Sequence, residues 1–191
     1  MQKRAVFFSA LLSLMPLGQP LLIKTGVVLS TAGLMLSVSE KVIADSATFY
    51  LNKGNEKYRL GEYYSAISLY NKAIKLDPTF ALSYTNRGAA KRQINDLEGA
   101  LIDQNNSIQL DSTNPDAYNN RGNVKYALKD YYGAIFDYTK AININSKVKN
   151  SHKNRGIVKE QLGDMKGACS DWRTASELGS EDASIWVRDQ C

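Results

Sequence analysis

Between residues 47 and 182, apolar positions return at three- and four-residue steps, interrupted by short polar turns. After Gly54 the apolar places are Ala66, Ile67, Tyr70, Ala73 and Ile74, which form one stripe on a helix. The preceding segment, Tyr50 to Leu60, also reads as a helix, and Gly61 separates the two. The pattern then repeats. Gly54, Gly88, Gly122 and Gly156 are spaced 34 residues apart. Aligned on them, Ala66, Ala100, Ala134 and Ala168 coincide, as do the small residues Ala73, Ser107, Ala141 and Ala175. Aromatic places recur at Tyr50, Tyr84 and Tyr118, with His152 in the fourth unit, and at Tyr70, Tyr138 and Trp172, with Gln104 in the second. A fixed period of this length is the mark of a stacked array.

Each place has a chemical reason. Glu62, Asp96, Asp130 and Asp164 stand where a second helix begins, and a carboxylate there caps free backbone N–H groups and meets the positive end of the helix dipole. Asp77-Pro78 and Asn114-Pro115 are read as unit ends, because proline cannot continue a helix. The recurring glycines fall in mid-helix, at a cost of about 1 kcal/mol each against alanine. Close approach of two helices explains them, with the aromatics filling the space alongside. Each unit is thus expected to be an antiparallel helix pair.

Residues 1–44 differ. Met1-Gln2-Lys3-Arg4 is followed by an apolar run, the breakers Pro16, Gly18 and Pro20, and a second apolar stretch from Thr25 to Ser39. Val42 and Ala44 fit the small-residue places of a signal-peptide cleavage site, which puts a mature N-terminus at Asp45. Initiation at Met15 would shorten this leader. The alternatives are an uncleaved membrane anchor over residues 21–38 and a buried N-terminal helix. The leader also accounts for most of the charge. The chain has 191 residues and a formal net charge of +5. Lys3, Arg4, Lys24 and Lys41 against Glu40 give the leader +3, leaving +2 for the rest. With no basic run interleaved with aromatics, nucleic acid is not an expected partner.

The 34-residue unit resembles the tetratricopeptide repeat, whose pattern is carried in the first unit by Tyr50, Gly54, Ala66, Tyr70, Ala73 and Pro78. The resemblance covers 47–80, 81–114, 115–148 and 149–182. It implies an all-α, right-handed α-solenoid of four helix pairs over 45–182, closed by a capping helix over 183–191 that starts near residue 181. The sequence departs from the family before each glycine, where leucine is usual and Lys53, Arg87, Arg121 and Arg155 stand instead. The stretches AIFDYTKAININ and GACSDWRTASELG also look like those of exported bacterial proteins, cyanobacterial ones included.

Sixteen residues after Arg87, Arg121 and Arg155 stand Asp103, Asp137 and Asp171, while the first unit has Lys53 and Leu69. Joint presence and joint absence predict an ion pair between the two helices of a unit; the alternative is an arginine that binds an anionic ligand. In the family, first helices line a concave groove. Asn86, Asn120 and Asn154 would face it as rungs, joined by Asn55, Asn119, Asn123 and Asn150 on the same face. An amide donates and accepts, so such a ladder suits the backbone of an extended peptide; the plainer reading is that it keeps the groove soluble. A clamp for a carboxylate terminus needs lysines where Leu51, Thr85 and Asn119 stand, with only Lys153 basic, so this mode is not expected.

Cys169 and Cys191 lie equidistant from Gly179-Ser180, where an antiparallel pair would turn. Export predicts a disulfide between them; two buried thiols are the alternative. His152 is the only histidine and occupies a packing place. No metal-ligand spacing, phosphate loop or nucleophile elbow occurs. The expectation is a non-enzymatic module without cofactor or metal that holds a peptide or protein partner in its groove. It would be exported to a periplasm, a thylakoid lumen or the extracellular space. The alternative is a membrane-anchored scaffold or assembly factor for an envelope or photosynthetic complex, docking through its convex face.

Overall fold

The computed structural model describes residues 21–22, 28–29 and 31–191, with side chains from residue 42 onward. The chain divides into two units, Met1–Ile43 and Ala44–Cys191. In the first, β1 (Leu21–Leu22) pairs antiparallel with β2 (Val28–Leu29), Leu21 opposite Leu29. The apolar pattern did not anticipate this ladder, because short apolar runs are ambiguous between helix and strand. Most of the leader lies outside the described residues. The expected cleavage point at Ala44 falls within α1 (Thr31–Arg59). Among the described residues no helix is long and apolar enough to cross a membrane.

The second unit is helical throughout. The end of α1 is followed by α2 (Tyr63–Leu76), α3 (Ala81–Gln93), α4 (Leu97–Leu110), α5 (Pro115–Ala127), α6 (Tyr131–Ile144), α7 (Lys149–Gln161), α8 (Met165–Glu177) and α9 (Glu181–Gln190). Each helix from α2 to α9 packs on the next, and the first helices of successive repeats also touch, α3 on α5 and α5 on α7. The turn inside each pair needs one residue of left-handed backbone, at Gly61 (φ 75°), Asn95 (63°), Lys129 (64°) and Gly163 (82°). Asp96, Asp130 and Asp164 cap α4, α6 and α8, each accepting from the N–H of the glycine three residues on at 2.9 Å. Glu62 does not cap α2; its longer side chain takes Lys57 at 2.8 Å instead. Asn114-Pro115 opens a helix rather than closing one. Asn114 caps α5 by accepting from Asp116, and Pro115 fills the first turn, where its missing N–H costs nothing.

Small residues set the spacing within each pair. Ala66, Ala73, Ala90, Ala100, Ala117, Ala134, Ala141, Ala168 and Ala175 are fully buried. A side chain at Gly54 would overlap the ring of Tyr70, one at Gly122 that of Tyr138, one at Gly156 that of Trp172 and one at Gly88 the amide of Gln104. Glycine is required there by an aromatic or amide lying flat across the helix. At the C-terminal end α9 lays Ala183, Trp186 and Val187 over Ala168, Trp172 and Ala175, covering a face that a terminal repeat would otherwise expose. A disulfide joins Cys169 of α8 to Cys191, just past α9.

Candidate functional site

The arginine that precedes each glycine lies on the first helix of its repeat and faces two second helices. Arg87 donates to Asp103 from Nε (2.9 Å) and Nη2 (2.6 Å). Arg121 does the same to Asp137, and Arg155 to Asp171. Nη1 of each arginine reaches back to the preceding repeat, to Asn71 (2.6 Å), Asn105 (2.8 Å) and Thr139 (3.0 Å). A lysine one turn further along completes the arrangement: Lys91, Lys125 and Lys159 pair with the same three carboxylates at 2.9, 2.8 and 2.8 Å. Asp103 and Asp137 are fully buried and Asp171 nearly so. Burial alone would raise the Asp171 carboxyl, but the hydrogen bonds and charges of Arg155 and Lys159 hold it below the usual carboxylate range. Tyr84 and Tyr118 lie under Arg87 and Arg121, ring centroids 5.4 and 5.5 Å from the guanidinium carbons. His152 replaces this tyrosine in the fourth repeat, buried, with Nδ1 3.8 Å from Asp171. These arginines are engaged by the carboxylates and neighbouring side chains of the array itself.

The asparagines divide into groups. Tyr70 donates to Asn55 (2.9 Å), and Asn86 donates to the same oxygen (2.8 Å), so one acceptor ties α2, α1 and α3 together. Tyr138 and Asn154 meet Asn123 identically, at 2.8 and 2.9 Å, tying α6, α5 and α7. Asn119 is buried and accepts from Ser151 (3.1 Å) and Asn154 (3.4 Å). Asn150 is exposed near Lys153 and Asp182, away from the other rungs. Asn120 has no side-chain partner among the described residues, because Ala89 stands where the other two junctions have an asparagine. The rungs therefore do not all wait free in solvent. Asn86, Asn120 and Asn154 are all half-buried; Asn86 and Asn154 are partly engaged, and the Asn120 amide is unpaired among the described residues.

Asn55, Asn86 and Asn120 line one pocket of about 340 Å³ together with Tyr58, Arg59, Tyr70 and Ala89. Burial first, then the neighbouring Tyr58 phenol, pushes the Tyr70 hydroxyl up to about 12 against the pull of Arg59. Burial raises Tyr138 further, opposed by Arg92 and reinforced by Tyr126 and Asp137. Both phenols stay protonated at neutral pH and keep donating to their asparagines. Among the described residues no group of three or more histidine, cysteine or acidic side chains is placed to hold a metal.

Sequence reasoning missed two features here. The lysines recur as Lys57, Lys91, Lys125 and Lys159, so they did not vary with the aspartates and gave no correlated signal. The Tyr–Asn–Asn chains recur every 68 residues, as Asn55 and Asn123 and as Tyr70 and Tyr138. Alignment at half that period hides them.

A family model described as TPR repeat matches residues 54–91, and one described as tetratricopeptide repeat matches residues 115–148. No curated protein sequence matches the chain. Among solved structures, the first TPR of Spaghetti (RPAP3), bound to HSP90 peptide SRMEEVD, is 25% identical; the match covers 63% of this chain and 95% of that one, with a TM-score of 0.60. The Arabidopsis OM64 TPR domain is also 25% identical, covering 62% of this chain and 98% of that one, TM-score 0.60. MamA from Desulfovibrio magneticus RS-1 is 19% identical, covering 76% and 88%, TM-score 0.61, a likeness of fold. With its 34-residue helix pairs, small-residue contacts and terminal cap, the array of residues 44–191 has the fold of a tetratricopeptide-repeat solenoid.

Proposed function

We propose that the array is a non-catalytic interaction module that holds an extended segment of a protein partner along its first helices. The observation that carries this reading is the pocket that brings Asn55, Asn86 and Asn120 together, with Asn120 unpaired among the described residues. An amide with both donor and acceptor free pairs with a peptide backbone whatever its side chains. The peptide bound by the similar RPAP3 domain supports the same use of the fold. Export is part of the proposal, supported by the disulfide, since such bonds persist in oxidising compartments.

A second reading, a scaffold docking through its second helices, is favoured by Tyr64, Tyr132, Phe136 and Ile102, which lie exposed on α2, α6 and α4. A photo-crosslinking residue placed at 120 or at 136 separates the two in the native compartment. The groove reading expects partner adducts from position 120, and adducts only from position 136 overturn it. Asn120→Ala should weaken capture about 2- to 13-fold, the loss of one amide contact of about 0.5–1.5 kcal/mol.

A further inference from the structure

The two sulfurs of the Cys169–Cys191 bond sit in unequal surroundings. Cys169, on α8, is buried, with 8% of its surface exposed. Cys191, just past α9, is exposed. In thiol–disulfide exchange a thiolate approaches one sulfur along the S–S axis, from the side away from the other. Burial closes that approach at Cys169 and leaves it open at Cys191. Charge favours the same reaction. Lys166 and Arg173 stand three residues before Cys169 and four after it, on its side of the helix, and both are exposed. Lys166 forms no ion pair among the described residues, and Arg173 donates to the Cys191 carbonyl oxygen at 3.4 Å rather than to a carboxylate. Cations beside a disulfide draw in an incoming thiolate and ease the departure of the one released.

Apart from this bond, α9 is lightly held. Ala183 is its one fully buried side chain; Trp186 and Val187 are half-buried, and Ile185 is exposed. The ring of Trp186 meets Trp172 at 5.3 Å, and the hydroxyls of Ser184 and Ser176 meet at 2.7 Å. Lys153 of α7 pairs with Asp182 at 2.9 Å, but that carboxylate is mostly in solvent, where an ion pair contributes little.

We propose that Cys191 is a covalent attachment site for an external thiol, and that attachment unlatches the α9 cap. The incoming thiolate forms a bond to Sγ of Cys191. The Cys169–Cys191 bond breaks, and its electron pair leaves on Sγ of Cys169, which takes a proton from water. One disulfide is consumed and one is formed, so no oxidant or reductant enters. In the reverse step the Cys169 thiolate attacks Cys191, expels the thiol and fastens the cap again. While the mixed disulfide lasts, the α8 face of Ala168, Trp172 and Ala175 has only non-covalent cover. A small-molecule thiol and a cysteine of a protein partner supply the same thiolate. The groove plays no part in this step.

The test exposes the oxidised full-length chain briefly to excess glutathione and quenches with N-ethylmaleimide. Trypsin then cuts at Arg173 and Arg188, which separates the two cysteines for mass spectrometry. Glutathione should appear on Cys191 about tenfold or more over Cys169, with N-ethylmaleimide on Cys169 of the same molecules. The rate should be proportional to glutathione thiolate, rising about tenfold per pH unit below that thiol's own pKa. Lys166→Gln with Arg173→Gln should slow glutathione about threefold and speed cysteamine, whose ammonium the wild-type cations repel. In hydrogen exchange the adduct should lose protection in α9 while α4 and α6 keep theirs. A parallel arm offers a Cys-x-x-Cys oxidoreductase with its second cysteine changed to serine. Trapping of that protein alone assigns the thiol to a protein, and reaction with glutathione alone assigns it to a small molecule. Adducts mainly on Cys169, or a rate independent of thiol concentration, would overturn the attachment site. An adduct whose α9 exchanges as slowly as in the untreated protein would overturn the unlatching, and no reaction with either thiol would reject both.

Discussion

Arg121 and Asp137 meet twice across the third repeat: Nε donates to one carboxylate oxygen at 2.9 Å and Nη2 to the other at 2.7 Å. The carboxylate has no solvent exposure and also takes Lys125. Asp137→Ala leaves two cations facing a buried gap. It should cost about 3–5 kcal/mol, and more than the double change Arg121→Met with Asp137→Leu. A double-mutant cycle in urea measures the coupling; additive losses would refute it.

Acid should act on the same construction in the fourth repeat. The folded-state pKa of Asp171 is depressed, so its ionised form favours folding. That contribution is fully present above the unfolded value, about 3.9, and is lost as pH falls through the lower folded value. The urea midpoint should therefore drop below about pH 4. Asp171→Asn should be less stable at neutral pH and show a shallower acid slope.

Lys129 holds a left-handed backbone at φ 64°, at the turn position where the first and fourth repeats have Gly61 and Gly163. Its side chain is exposed and makes no hydrogen bond or ion pair among the described residues. Lys129→Gly should raise stability by about 0.5–1 kcal/mol, the relief of left-handed strain less the entropy cost of glycine. Asn95→Gly should gain less, because asparagine tolerates this conformation. Thermal unfolding of both variants decides the order.

Reduction of the Cys169–Cys191 bond opens a loop of 22-residue separation. The loss should be about 3 kcal/mol in the chain-entropy picture. Fraying should start at α9, since the bond fastens its end and Trp186 packs on Trp172 at 5.3 Å. Hydrogen exchange on reduced and oxidised protein should show Ala183–Arg188 losing protection before α6; uniform loss would contradict it.

Which parts were legible follows from how often each chemical solution recurs. The glycines, alanines and stacked aromatics were readable because every repeat solves the same packing problem in the same place. The arginine and aspartate were readable because Lys53 and Leu69 replace both together. Glu62 misled: its acidic character matched the capping place, but its extra methylene lets it reach Lys57 instead. The engaged state of Asn86 and Asn154 could not be read from their own period, since it depends on Asn55 and Asn123 at alternate repeats. Ala89 in the second repeat is what leaves the Asn120 amide unpaired among the described residues.

The third bond of each arginine, back to Asn71, Asn105 or Thr139, gives the array a rule for its own lengthening. Every repeat with a predecessor has an arginine that reaches it; the first, with Lys53, has none. A copy of residues 81–114 inserted after residue 114 would bring Arg87 to meet the original Asn105, and its own Asn105 would receive Arg121. A copy of residues 47–80 inserted at its own end would set Lys53 against Asn71, with Leu69 where the carboxylate should be. For this contact the interior repeats are modules with a polarity, and the first repeat lacks the chemistry to receive a predecessor.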